Sequence, residues 1–302
     1  MDQKTVGVLY GLAAYLWWGL APVYFKAVAA VPAMEVLAHR VVWSVVLLAA
    51  LVALTRHWGI VAAALGDRRT LAMLLLSTLF ISINWGTFIW AVMAERVLEV
   101  SLGYYINPLV NVLLGVLVLK ESLSRWQIVA VLLAAAAVLN LAVNVAGLPW
   151  PSLVLAFSFS IYGLIRKTTA LGSVDGLFLE TAIVAPVALG YLLLLGSQGE
   201  GSFLAVNPGL DLLLFLAGVV TAAPLIWFAS AARRLNYSTI GLLQYITPTA
   251  QFLLAVLVFG EVFTLAHGTS FACIWLALAI YSTDTLNSRR RARRMSAPSS
   301  MR

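Results

Sequence analysis

Tyr104, Asn107, Pro108 and Asn111 are spaced i, i+3, i+4 and i+7, so a helix would carry all four on one face. The same offsets return 140 residues later as Gln244, Thr247, Pro248 and Gln251, again inside a run of Leu, Val, Ile and Phe. Amides, a hydroxyl and an aromatic ring offer hydrogen bonds and stacking, which is the chemistry of reversible binding rather than of bond-making. Each proline lacks an N–H and frees the carbonyl four residues back, at Tyr104 and at Gln244. Free carbonyls and amides at bilayer depth are costly against lipid, so both faces are predicted to line the bundle interior or a wet cavity. The plainer reading is that such amides only join helices, at ~0.6 kcal/mol apiece. Two matched sets, one in each half of the chain, favour the cavity.

Further candidates lie on other apolar runs. Asn84, Trp85 and Phe88 share a mid-run position with Pro224, Leu225 and Phe228, and Asn84 and Trp85 join the binding set. Trp90 and Trp227 fit an interfacial belt as readily as a site. Trp18, Pro22, Phe25 and Lys26 share one face of the first run, with Lys26 near its outer end, where it could snorkel to water. Arg40 is expected about five residues inside the second run, roughly 7 Å deep, where Glu35 or a bound anion could offset its charge. Tyr162 shares a face with Arg166, and Arg166-Lys167 reads as interfacial anchoring. The substrate-binding set is thus Tyr104, Asn107, Asn111, Gln244, Thr247, Gln251, Asn84, Trp85, Lys26, Arg40, Trp18 and Tyr162, with Pro22, Pro108, Pro224 and Pro248 as helix breaks or gates.

Glu35 and Glu180 are expected to begin spans, where the helix dipole favours acids, and Glu121 and Glu261 to end them. None falls plainly at mid-membrane, so proton coupling has no clear carrier. His39, His57 and His267 are scattered, and no His-Glu-x-x-His, acidic metal cluster or Gly-rich phosphate loop is present. No catalytic residue, metal or cofactor is expected.

The elements that must position these residues follow from composition. Hydrophobic residues make up 62% of the 302-residue chain and charged residues 10%, with a mean hydropathy of +0.97. A soluble protein could not hide that surface, so the chain is predicted to sit in lipid. Ten spans are expected, at roughly 6–28, 36–55, 70–93, 98–119, 126–146, 150–170, 177–196, 210–232, 239–259 and 265–285. Pro and Gly within the runs, without period-2 alternation, favour helices over a β-barrel. The first run is too long for a signal core and carries Trp17, Trp18 and Lys26, so it reads as a membrane helix. The one cysteine, Cys273, precludes an internal disulfide.

With the N-terminus cytoplasmic, 16 of the 19 basic residues fall on inside segments; Lys26, Arg40 and Arg96 are the exceptions. The net charge of +7 is therefore a topology signal rather than a mark of nucleic-acid binding. Residues 288–302 form a basic tail, expected to be irregular and to touch anionic headgroups.

From Tyr105 to Glu121 and Tyr245 to Glu261, nine of 17 aligned positions are identical. Five spans per repeat is an odd number, so the second copy must enter the membrane upside down, and the loop charges alternate accordingly. The expected units are a first five-helix repeat at 1–147 and a second, inverted one at 148–287.

Trp18-Gly19, Pro22 to Lys26, His39-Arg40, Asn84-Trp85, Phe88 to Val92, Leu102 to Leu109 and Tyr162 to Lys167 resemble the drug/metabolite transporter superfamily, in its EamA branch and among its RarD-type members. The resemblance spans nearly the whole chain apart from its last fifteen or so residues. It implies an all-α membrane protein of ten helices in two inverted five-helix repeats. Helices 1–4 and 6–9 would line a central cavity, with 5 and 10 behind them. It also implies a permease of the bacterial inner membrane with a label linking it to chloramphenicol.

The expected activity is secondary transport of a small amphipathic metabolite or drug, neutral, zwitterionic or anionic, by alternating access. The partners are that molecule and the bilayer, and a homodimer is compatible with the sequence. A receptor or assembly factor without transport is the rival, with an intramembrane enzyme behind it. Protein-dependent flux separates these readings.

Overall fold

A computed structural model describes residues 2–94, 96–143, 150–258 and 265–295, and these fold almost entirely into helices. In chain order they are α1 Gln3–Ala27, α2 Ala33–Leu54, α3 Trp58–Gly66, α4 Arg68–Met93, α5 Val97–Leu117 and α6 Arg125–Ala142. Then come α7 Trp150–Thr168, α8 Ser173–Gln198, α9 Pro208–Ala232, α10 Tyr237–Gln244, α11 Ile246–Leu257 and α12 Leu265–Met295. Among the described residues, six helices are long and apolar enough to cross a bilayer: α1, α2, most of α4, α8, α9 and the Gly268–Asn287 part of α12. Shorter apolar helices occupy Leu102–Leu117 and Arg125–Asn140.

Large apolar side chains stay uncovered along the outer faces, among them Leu132 and Leu139 on α6 and Val187 and Leu193 on α8. Such a belt has lipid as its natural solvent. Inside, the α6–α12 seam is built on Ala130, Ala134, Ala137 and Ala277, whose small side chains let the two backbones approach. At Gly218 on α9 the approach is closer still, since a Cβ there would lie 2.5 Å from the Trp43 carbonyl carbon of α2.

Contacts between helix termini sort them into two ends. At one end Arg234 bonds Gln3, His57 meets Asp175, Lys167 bonds the Ala232 carbonyl and Ser124 bonds Asp284. At the other, Tyr24 bonds the Leu213 carbonyl, Ser202 bonds Glu35, Trp90 packs on Trp150 and Asn140 bonds Ser270. Arg166, Lys167, Arg233 and Arg234 all gather at the first, basic end. Consequently α1 starts at the basic end and α7 starts at the opposite one.

Packing couples helices from the two parts of the chain. α1 lies on α9 and α11, α2 on α8 and α9, α4 on α7 and α8, α5 on α7 and α10, and α6 on α12.

Several expectations change. α2 begins at Ala33 rather than near residue 36, which puts Arg40 seven residues inside the helix, about 10 Å from its start. The expected ninth span is two helices, α10 and α11, joined at Tyr245, whose N–H reaches only three residues back to Leu242. Pro248 removes the bond that would otherwise tie the segment to Gln244. Its counterpart Pro108 leaves α5 unbroken, as Pro22 leaves α1 and Pro224 leaves α9. The basic tail, expected to be irregular from residue 288, is helical as far as Met295. Arg and Ala are good helix formers, and cations suit a helix C-terminus.

Candidate functional site

The two repeated faces lie in the interior. Asn107 and Asn111 on α5 are almost fully buried, as are Gln244 and Thr247 at the α10–α11 break. Asn111 Nδ2 donates to Gln244 Oε1 at 2.8 Å, a direct bond from one repeated face to the other. Asn107 Oδ1 accepts from Ser160 Oγ of α7 at 2.9 Å. Thr247 Oγ1 donates to the Tyr15 carbonyl at 2.9 Å and Gln251 Nε2 to the Trp18 carbonyl at 3.2 Å, so the second face turns towards α1. Asn111 Oδ1 is buried without a hydrogen-bond partner among the described residues. Pro108 and Pro248 sit on these same helices, and the Pro108 carbonyl stands where a Cβ on Gly241 would be, 2.5 Å away. These residues join helices in this conformation and present a polar seam between the two parts of the bundle.

A central aromatic cluster lies alongside. Trp18 meets Phe159 and Phe228 at centroid distances of 5.8 and 5.9 Å, and Tyr162 stacks on Phe228 at 6.4 Å. Trp85 of α4 and Tyr162 of α7 belong to the same core, and Pro224 is buried on the α9 side of it. Asn84 turns away from the amide seam and donates to the Leu155 carbonyl and Ser158 Oγ of α7, both at 3.0 Å. Trp90 is substantially exposed against Trp150, whereas Trp227 packs edge-on against Trp17.

Near the far end, Arg40 Nε donates to Thr221 Oγ1 of α9 at 2.8 Å, with the guanidinium over the Phe25 and Trp85 rings. Tyr104 lies within coulombic reach of it. The expected Glu35–Arg40 compensation does not occur. Five positions along a helix turn a side chain about 140° away, and Glu35 instead accepts from Ser202 N and Oγ at 2.6 and 2.9 Å. Lys26 is exposed at the end of α1, away from the seam.

The basic end holds what residue spacing did not disclose. Glu180, expected at a helix start, lies seven residues inside α8 and is buried. Its carboxylate accepts from Ser77 Oγ at 2.6 Å and Tyr162 Oη at 3.3 Å, and stands 3.6 Å from Arg166 Nη1. Arg166, expected as an interfacial anchor, has no exposed surface at all, and its Nη2 donates to the Gly172 and Ser173 carbonyls. A Cβ on Gly176 would collide with this guanidinium. A cavity of about 10 Å³, room for one water, borders Glu180, Tyr162 and Trp85. Lys167 donates to the Ala232 and Leu235 carbonyls, tying α7 to the end of α9. Glu121 accepts from the N–H groups of Tyr237 and Ser238, capping α10. Its counterpart Glu261 lies outside the described residues. An open cleft of about 540 Å³ enters from this end between Tyr10, Thr55, His57, Asp175, Ile226 and Arg233.

Among the described residues no group of three or more His, Cys, Asp or Glu side chains is placed to hold a metal ion. The chemistry on offer is hydrogen bonding, stacking and the guanidinium forks of Arg40 and Arg166.

Comparison with known proteins places this arrangement. Residues 5–143 match the model of the EamA-like transporter family. An uncharacterized transporter of Vibrio cholerae is 48% identical, with 97% of this chain and 98% of its own length aligned. The protein RarD of Streptomyces exfoliatus is 46% identical over 97% of this chain and 93% of its own, and that of Escherichia coli 45% over 96% and 99%. A solved crystal structure aligns with a TM-score of 0.70 over 92% of this chain and 97% of its own, at 21% identity, a likeness of fold alone. Apolar helices, a polar interior seam and these relatives agree: the chain is a multi-pass membrane protein that belongs to the RarD-type members of the EamA-like transporter family, in the drug/metabolite transporter superfamily.

Proposed function

We propose that the chain is a secondary transporter that carries a small amphipathic molecule across the bacterial inner membrane by alternating access. It has ten spans in two inverted five-helix repeats, with α10 and α11 together forming the ninth span and α3 lying in a loop. Both termini are cytoplasmic, because the basic end is the inside end under the positive-inside rule.

One observation carries this reading: the helix packing maps onto itself when the two halves are exchanged. The α1–α9 contact has its mate in α7–α4, α1–α11 in α7–α5, and α2–α9 in α8–α4, while α2–α8, α5–α10 and α6–α12 are their own mates. Two halves related in this way have two equivalent arrangements open to them, and rocking between those arrangements exposes a shared seam to each face in turn. The seam contains Asn107, Asn111, Gln244, Thr247 and Gln251, flanked by Trp18, Trp85 and Tyr162. Aromatic walls with a few amides suit a molecule held by shape and stacking. The chemistry is transport rather than catalysis.

The test uses proteoliposomes loaded with a panel of metabolites and antibiotics, chloramphenicol included. At least one compound should cross faster than in protein-free vesicles. Asn107→Ala combined with Gln251→Ala should abolish that flux, with membrane insertion and monodispersity kept. Undiminished flux in the double variant would remove the seam from the transport path.

A further inference from the structure

We infer that Arg40 is the recognition point for a carboxylate group on the transported molecule, so that the cargo is a small organic anion with a flat apolar body. This deepens the transporter reading and rests on it.

The molecule contains its own control. Arg166 is a buried guanidinium provided with a carboxylate, Glu180, at 3.6 Å. Arg40 has no carboxylate partner among the described residues. Among the described residues its single hydrogen bond runs from Nε to the neutral Thr221 hydroxyl, leaving both terminal nitrogens of the fork uncommitted there. The nearest acid on its own helix, Glu35, is occupied by Ser202. A guanidinium about 10 Å inside a membrane helix costs free energy, and intramembrane charge without a partner usually marks a substrate or ion pathway.

The surroundings define the ligand. The guanidinium lies 5.5 Å from the Phe25 centroid and 5.9 Å from that of Trp85, so rings from α1 and α4 flank the charge. Tyr104 of α5 is within coulombic reach, and its hydroxyl makes no hydrogen bond among the described residues. Arg40 is only half-buried, so the fork is reachable. Five helices, α1, α2, α4, α5 and α9, converge on it. Two free N–H groups in a plane match the two oxygens of a carboxylate, and the rings can pack against an apolar body.

The experiment measures thermal stabilisation of the purified full-length protein by phenylacetate, indole-3-acetate and 4-methylpentanoate, each beside its carboxamide and its amine counterpart. At least one carboxylate should bind about tenfold or more tightly than its carboxamide. Arg40→Gln should erase that preference, and Arg40→Lys, which keeps the charge but not the fork, should retain part of it. Without ligand, Arg40→Gln should melt no lower than the unaltered protein, because it removes an unneutralised charge. Stabilisation by none of the carboxylates, equal binding of carboxamide and carboxylate, or a lower melting temperature of unliganded Arg40→Gln and Arg40→Leu would each overturn the assignment. Binding is measured without transport, so the two failures differ: loss of the carboxylate preference removes Arg40 as the recognition point, whereas anions that bind through Arg40 but never cross a vesicle keep the carboxylate site and remove its role in transport.

Discussion

Glu180→Leu should destabilise the protein by about 3–5 kcal/mol, because it strands a fully buried guanidinium without a counter-charge. Arg166 Nε and Nη1 already lack hydrogen-bond partners among the described residues, so the carboxylate is what balances that side of the fork. Arg166→Met should cost less. The carboxylate it leaves keeps Ser77 and Tyr162 as donors and can take up a proton. The double variant Arg166→Met/Glu180→Leu should recover most of the lost stability, since two apolar side chains of similar bulk can fill the site. Thermal unfolding in detergent, followed by tryptophan fluorescence, gives all three values. Additive losses in the double variant would show that the two side chains do not act as a pair.

The second large effect concerns the close approach of α2 and α9. Gly218→Val should prevent α2 and α9 from packing, because the added Cβ would lie 2.5 and 2.6 Å from the Trp43 carbonyl atoms and 2.8 Å from Ser44 N. These are backbone atoms and cannot swing aside. The Ser44 Oγ bond to the Gly218 carbonyl would be lost as the helices part. Overpacking alone costs ~1–3 kcal/mol, and separation of the helices adds to it. Gly190→Val on α8 is the control, since a Cβ there meets nothing within 4 Å. A Gly218→Val protein as stable as Gly190→Val would mean that α2 and α9 do not meet at this point.

Much of this was legible in the residues. Helical periodicity placed Asn107, Asn111, Gln244 and Thr247 in the interior, because amides inside Leu-rich runs have nowhere else to go. The Arg166–Glu180 pair was not legible. Arg166 is followed by Lys167 at a helix end, and two adjacent cations look the same whether they anchor a helix at the interface or enter the core. Glu180 reaches Ser77 across 103 residues, a contact that leaves no periodic trace. The asymmetry between the unbroken α5 and the α10–α11 break was hidden for a related reason. Both segments carry proline at the same position, and both are tied to a neighbouring helix, Asn107 to Ser160 of α7 and Thr247 to Tyr15 of α1, so neither feature tells the broken segment from the unbroken one.

Under alternating access, the seam between the halves opens to each side of the membrane in turn. A single cysteine tests it without knowledge of the cargo. Cys273 is the only native cysteine, so Thr247→Cys in a Cys273→Ala background places one thiol in the seam. Oriented vesicles are then treated with a membrane-impermeant maleimide from the outside alone or the inside alone. Alternating access predicts labelling of Thr247→Cys from either side, slowly in each case because the position is buried in this conformation. Labelling from one side only, or from neither, would contradict it.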